Sequence, residues 1–122
     1  MKIIYKNRKI EKQFSVLFKS GWKYPTKVSI ALEAANVLIS AATSFKDIAA
    51  YSPFHLEILE GKLKNRKHNT GEWSIQIGAN TGFRTILIPC DDEECEIVGG
   101  DILAKATDIH VVKITEVMNH YE

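Results

Sequence analysis

Val28-Ser29-Ile30-Ala31-Leu32-Glu33-Ala34-Ala35-Asn36-Val37-Leu38-Ile39-Ser40-Ala41-Ala42 is the stretch from which the architecture can be read. Val28, Ala31, Leu32, Ala35, Leu38, Ile39 and Ala42 recur at i, i+3, i+4 and i+7, which is one apolar stripe along a helix. Lys27, Ser29, Glu33, Asn36 and Ser40 fall on the opposite face, so the stripe reads as core and the rest as solvated surface. Tyr24-Pro25-Thr26 opens this helix, because proline is accepted in a first turn. Upstream, Ile10, Phe14, Leu17 and Phe18 repeat at helical spacing from Arg8 onward, and Gly21 closes that first helix. Residues 2–6 read as a short strand before it.

Downstream of the helix the period changes to that of strands. Thr43 to Pro53 reads as a connector with at most a turn of helix around Ser44-Phe45-Lys46-Asp47. Phe54 to Leu59 follows as a strand. Glu72-Trp73-Ser74-Ile75-Gln76-Ile77 alternates, placing Trp73, Ile75 and Ile77 on one face. Asn80-Thr81-Gly82 turns into a strand from Phe83 to Ile88 that ends before Pro89. Residues 91–107, with Gly99 and Gly100, read as a polar loop, and the last strand spans about 109–120. The order predicts an α+β fold: an N-terminal strand, two helices, then a mainly antiparallel sheet of three to four further strands. Helices on one face leave the other to carry a site.

At 122 residues the chain is expected to form one domain over 1–122. Its 45% apolar and 25% charged residues are ordinary globular usage, so no disulfide is needed to hold it. No apolar run approaches the ~20 residues of a membrane span. Met1-Lys2-Ile3-Ile4-Tyr5-Lys6 returns to charge too soon for a secretory signal, which makes the cytoplasm the expected compartment. A net charge of +1 hides segregation. Lys62, Lys64, Arg66, Lys67 and His68 crowd together, as do Asp91, Asp92, Glu93, Glu94 and Glu96. The basic segment is either a grip for a polyanion or a solvated loop. Cys90 and Cys95 stand five apart without the second ligand pair of a zinc site, and read as reduced thiols. No metal or cofactor is expected.

Five segments taken in order carry a resemblance. They are Ile3-Ile4-Tyr5-Lys6-Asn7 leading to Lys9-Ile10-Glu11-Lys12; Leu59-Glu60-Gly61-Lys62-Leu63-Lys64; Trp73-Ser74-Ile75; Phe83-Arg84-Thr85-Ile86; and Ile114-Thr115-Glu116-Val117-Met118-Asn119-His120-Tyr121. Together they resemble the RelE/ParE superfamily of bacterial toxins, especially its HigB or "killer protein" branch, across nearly the whole chain. The resemblance implies a RelE-like toxin of a type II toxin–antitoxin pair, neutralised by a cognate HigA-like helix-turn-helix antitoxin. It also implies cleavage of messenger RNA in the ribosomal A site without metal, contact with DNA only through the antitoxin, and no membrane partner. HigB-like members carry a histidine and a lysine where this chain has Glu57 and Glu60, with His55 close by. Their closing Asp-Tyr-His is replaced by Asn119-His120-Tyr121. These departures are similar to YoeB-like toxins, which combine a glutamate, an arginine on the next-but-one strand and a final His-Tyr. Glu57, Arg84 and His120-Tyr121 stand at those positions. The insertion Arg66-Lys67-His68-Asn69-Thr70-Gly71 is atypical of the family.

RNA is cut by its own 2′-hydroxyl when a base removes that proton, a cation meets the charge on phosphorus and an acid protonates the leaving 5′-oxygen. Glu57 is the candidate base, provided burial brings its carboxylate towards neutrality. The plain alternative is a rim glutamate in a salt bridge. His55, two residues away and expected on the same strand face, is a second candidate, and Glu60 a third. Arg84 is the cation, because its fork holds two phosphate oxygens and keeps its charge. His120 is the acid, and Tyr121 a residue to stack on a base; the plain alternative for both is a frayed terminus. Lys62, Lys64, Arg66 and Lys67 are the candidate RNA contacts. His110 reads as structural and His68 as a loop residue. A different class is a non-catalytic ParE-like toxin that binds and disables a protein target, and a third is a plain interaction domain. Glu57, Arg84 and His120 together favour the nuclease.

Overall fold

The computed structural model describes residues 1–15, 25–59 and 71–119. Strand β1 (Lys2–Tyr5) leads into helix α1 (Arg8–Ser15), whose start is capped where the Asn7 Oδ1 accepts from the Ile10 backbone N–H at 2.9 Å. Helix α2 (Thr26–Ala41) follows Pro25, and helix α3 (Phe45–Ala50) is succeeded by a 3₁₀ turn at Ser52–Phe54. Strands β2 (Glu57–Ile58), β3 (Trp73–Ile77) and β4 (Phe83–Cys90) come next. A second 3₁₀ turn at Ala106–Asp108 precedes β5 (Val111–Asn119).

The architecture is α+β, with a mixed five-stranded sheet ordered β1-β5-β4-β3-β2. The β2–β3, β3–β4 and β4–β5 pairings are antiparallel, and β1 lies parallel to β5. Side chains alternate across such a sheet. Trp73, Ile75 and Ile77 on β3 and Leu87 on β4 join Leu32 and Ile39 of α2 and Phe14 of α1 in one buried core. Ser74, Gln76, Arg84, Ile86 and Glu116 fall on the opposite, outer face by the same register. The outer face is not bare: Ser74 and Ile86 are buried on it.

Several expectations need correction. The connector after α2 holds a full helix, α3, which buries Phe45 and Ile48. Its start is secured by the Asp47 carboxylate, which accepts from the Thr43 N–H at 2.8 Å. The Thr43 N–H lies one residue before the Ser44 N-cap, so this bond ties the incoming chain back onto the first turn of the helix. The strand expected from Phe54 to Leu59 shrinks to Glu57–Ile58, because Ser52-Pro53-Phe54 coils into a 3₁₀ turn. Strand β4 runs through Pro89 to Cys90 rather than stopping before the proline. β3 pairs β4 only as far as Leu87, and the Pro89 carbonyl accepts from Ile97 at 2.9 Å. A strand residue's N–H and C=O point the same way, so the missing N–H faces away from β5 and costs no ladder bond.

The segment 91–107 is not polar throughout, since Ile102 and Ala106 are buried in the core. Its acids are employed structurally: Glu94 pairs with Lys2 at 3.0 Å and Glu96 with Lys113 at 2.8 Å. Ser29, placed above on the solvated face of α2, is buried, while Leu38 from the apolar stripe is 39% exposed. Leu17, Phe18 and Gly21 lie outside the described residues. No helix among the described residues is long and apolar enough to cross a membrane.

Candidate functional site

Arg84 anchors the outer face. It sits opposite Gln76 on β3 and Met118 on β5, two strands in from the β2 edge and flanked on both sides. Its Nε donates to the Ser74 Oγ at 2.9 Å, and its Nη2 donates to the His55 carbonyl at 2.9 Å and to the Ser74 carbonyl at 3.4 Å. These bonds hold the guanidinium plane at one edge. Its other terminal nitrogen, Nη1, has no hydrogen-bond partner among the described residues. The side chain is only 15% exposed. A fork fixed on one side, with one terminal nitrogen unpartnered among the described residues, has the donor geometry to bind an anionic oxygen.

Glu57 stands beside it. The β2 register sets Glu57 directly opposite Ser74, on the outer face, and its Oε1 lies 4.0 Å from the Arg84 Nη2. Carboxylate and guanidinium, 27 residues apart by their numbers, are therefore neighbours. The Glu57 side chain is 45% exposed, so the burial expected for a general base is not present. At 4.0 Å and half in water the pair is a loose one, of the kind worth at most about 1 kcal/mol to stability.

His55 does not share a strand face with Glu57. It follows the 3₁₀ turn in left-handed backbone conformation, φ 45° and ψ 52°, and is exposed. What it gives to Arg84 is its main-chain carbonyl, an acceptor that any residue would supply. His55 also borders a cleft of about 250 Å³ that opens towards α2, lined by Leu38, Tyr51 and Phe54 among others. His110, read above as structural, lies just before β5 and is exposed, with its Nδ1 3.0 Å from the Thr43 carbonyl. Strand β5 carries the chain as far as Asn119, which pairs with Phe83, the residue before Arg84. His120, Tyr121, Glu60, His68, Lys62, Lys64, Arg66 and Lys67 lie outside the described residues.

Sequence reasoning missed Ser74, the residue that orients Arg84. Its signal was present, because Ser74 occupies the polar phase of the alternating Glu72–Ile77 segment. Only the register shows which arginine it meets. Cys90 is buried beside Lys113, whose ammonium is pushed up by its hydrogen bond to Glu96. Burial pushes the Cys90 thiol up to about 11, against the partial opposition of Lys113, and that keeps it protonated and unreactive. Cys95 is an exposed free thiol.

Compared with protein-family models, with curated proteins and with solved structures, the chain matches none.

Proposed function

We propose that this chain is a RelE/HigB-like toxin that cuts messenger RNA on the ribosome without metal, using the Glu57–Arg84 pair at its centre. The supporting observation is the pair itself. A guanidinium fixed by Ser74 and His55 keeps Nη1 without a hydrogen-bond partner among the described residues, with a half-exposed carboxylate 4.0 Å from its Nη2. In this reading Nη1 of Arg84 meets the non-bridging oxygens as charge builds on phosphorus. Glu57 takes the 2′-proton, and covering by bound RNA supplies the desolvation that the unliganded carboxylate lacks. The acid role falls to His120, with Tyr121 stacking on a base. Lys62, Lys64, Arg66 and Lys67 extend the phosphate contacts.

Strand order and number depart from the RelE-like arrangement, so the proposal rests on the residues and not on topology. Fold alone would not carry function in any case. The same reading places the protein in the cytoplasm, paired with a HigA-like helix-turn-helix antitoxin and touching DNA only through it.

Induction of the protein followed by primer extension on messenger RNA tests the proposal. Discrete cuts are expected, falling about 10²–10³-fold in Arg84→Ala, the loss typical of removing one preorganised oxyanion donor. Intact RNA with arrested growth would replace the nuclease by a toxin that binds a protein target. No effect on growth or RNA would leave a plain interaction domain.

A further inference from the structure

Helix α2 is apolar on two sides. Val28, Leu32, Ala35 and Ile39 bury one of them in the core. Ile30, Ala34, Val37 and Ala41 recur at i, i+4, i+7 and i+11 on the other, and all four are exposed. The helix carries only two charged residues, Lys27 and Glu33, and they fall on either flank of this second stripe. Leu38 and Tyr51 widen the patch along the cleft of about 250 Å³, whose lining includes Ala34 of the stripe. Of the six large hydrophobic side chains exposed among the described residues, Ile30, Val37, Leu38 and Tyr51 lie here, 39–60% exposed. A contiguous apolar patch of this kind marks an interaction surface.

The stripe is its own complement. An antiparallel second copy, related by a two-fold axis level with the midpoint between Ala34 and Val37, sets Ile30 against Ala41 and Val37 against Ala34. Each large side chain then meets a small one, which lets two helices approach closely, and each contact occurs twice, as an isologous interface requires. No charge on the stripe calls for a partner of opposite sign. The two Glu33 side chains end on one side of the pair, roughly 10 Å apart, where salt screens them. The stripe with Leu38, Tyr51 and Pro53 offers about 500 Å² per copy, so about 1,000 Å² in the pair, the threshold for a specific interface of the weak class.

We propose that the outward face of α2 pairs two copies of this chain as an antiparallel dimer of micromolar affinity. Helix α2 lies on the inner side of the sheet, whereas Glu57 and Arg84 lie on the outer, so pairing leaves the candidate site open. The dimer is independent of the nuclease reading.

Sedimentation velocity of the full chain across the micromolar range tests this. Wild type should pass from monomer to dimer. Val37→Glu and Ala34→Lys, both changes at exposed positions, should each weaken self-association at least tenfold. An equimolar mixture of the two variants should regain it, because the introduced acid of one copy then faces the introduced base of the other. Association should hold as salt rises, since apolar contact is not screened. A wild-type chain monomeric throughout would overturn the proposal and leave the face to a partner of another kind. So would a dimer untouched by either substitution, a mixture that fails to re-associate, or self-association that fades with added salt. A marked drop in thermal midpoint of either variant, at dilutions where wild type is monomeric, would overturn it by assigning the stripe to a contact within the chain.

Discussion

Arg84 and His55 meet through a hydrogen bond that runs to main chain, and this separates two candidates for the general base. The His55 imidazole is not needed to hold the guanidinium, since only its carbonyl accepts from Nη2 at 2.9 Å. Its backbone, at φ 45°, lies in a region that glycine occupies without strain. His55→Gly should therefore keep the fold and leave the cleavage rate within about threefold of wild type, whereas Glu57→Gln should lower it on the order of 10²-fold or more. Single-turnover rates on programmed ribosomes check this. A large loss in His55→Gly with little in Glu57→Gln would transfer the base role to the imidazole.

Elements were legible where one period held over several turns. Helix α2 and strand β3 were readable because burying one face forces a repeat of 3.6 or 2 on the chain. Helix α3 was not, because Phe45–Ala50 is too short for a stripe, and its evidence lies in Asp47 reaching back to the Thr43 N–H. Asp47→Ala should accordingly destabilise the protein by about 1 kcal/mol, read as a lowered denaturation midpoint at unchanged slope. Unchanged stability would mean that packing of Phe45 against Trp73, with rings 5.7 Å apart, holds this helix unaided. Strand β2 was overdrawn for a related reason: Pro53 in Ser52-Pro53-Phe54 favours the tight turn that takes the first residues of the expected strand. Of the candidate site, residue types were readable, and so was the alternation that puts Ser74 on the polar phase of Glu72–Ile77, whereas Arg84 shares its phase with Ile86 and Ile88. Which strand neighbours which, and hence the Glu57–Arg84 contact, is a tertiary property that no local pattern encodes.

For the molecule as a whole, the buried thiol links stability to pH. Cys90 keeps its proton to about 11 when folded, against an ordinary value of 9.0. The folded state thus holds a proton that the unfolded chain gives up. Its contribution is complete below pH 9 and is lost as pH rises from 9 towards 11. The loss is roughly 2–3 kcal/mol. Lys113, raised by Glu96, adds a loss in the same alkaline direction. Denaturation midpoints of wild type and Cys90→Ala should therefore converge between pH 9 and 11, and parallel profiles would contradict the assignment. The central claim concerns chemistry at the outer face: Arg84 and Glu57 drive attack by the 2′-hydroxyl. Mapping of product ends on ribosome-bound message, with a 2′-deoxy nucleotide substituted at the cut site in a parallel sample, tests it most directly. The account predicts 2′,3′-cyclic phosphate and 5′-hydroxyl ends, and no cut in the deoxy message. Cleavage of the deoxy message, or ends bearing 5′-phosphate, would contradict it.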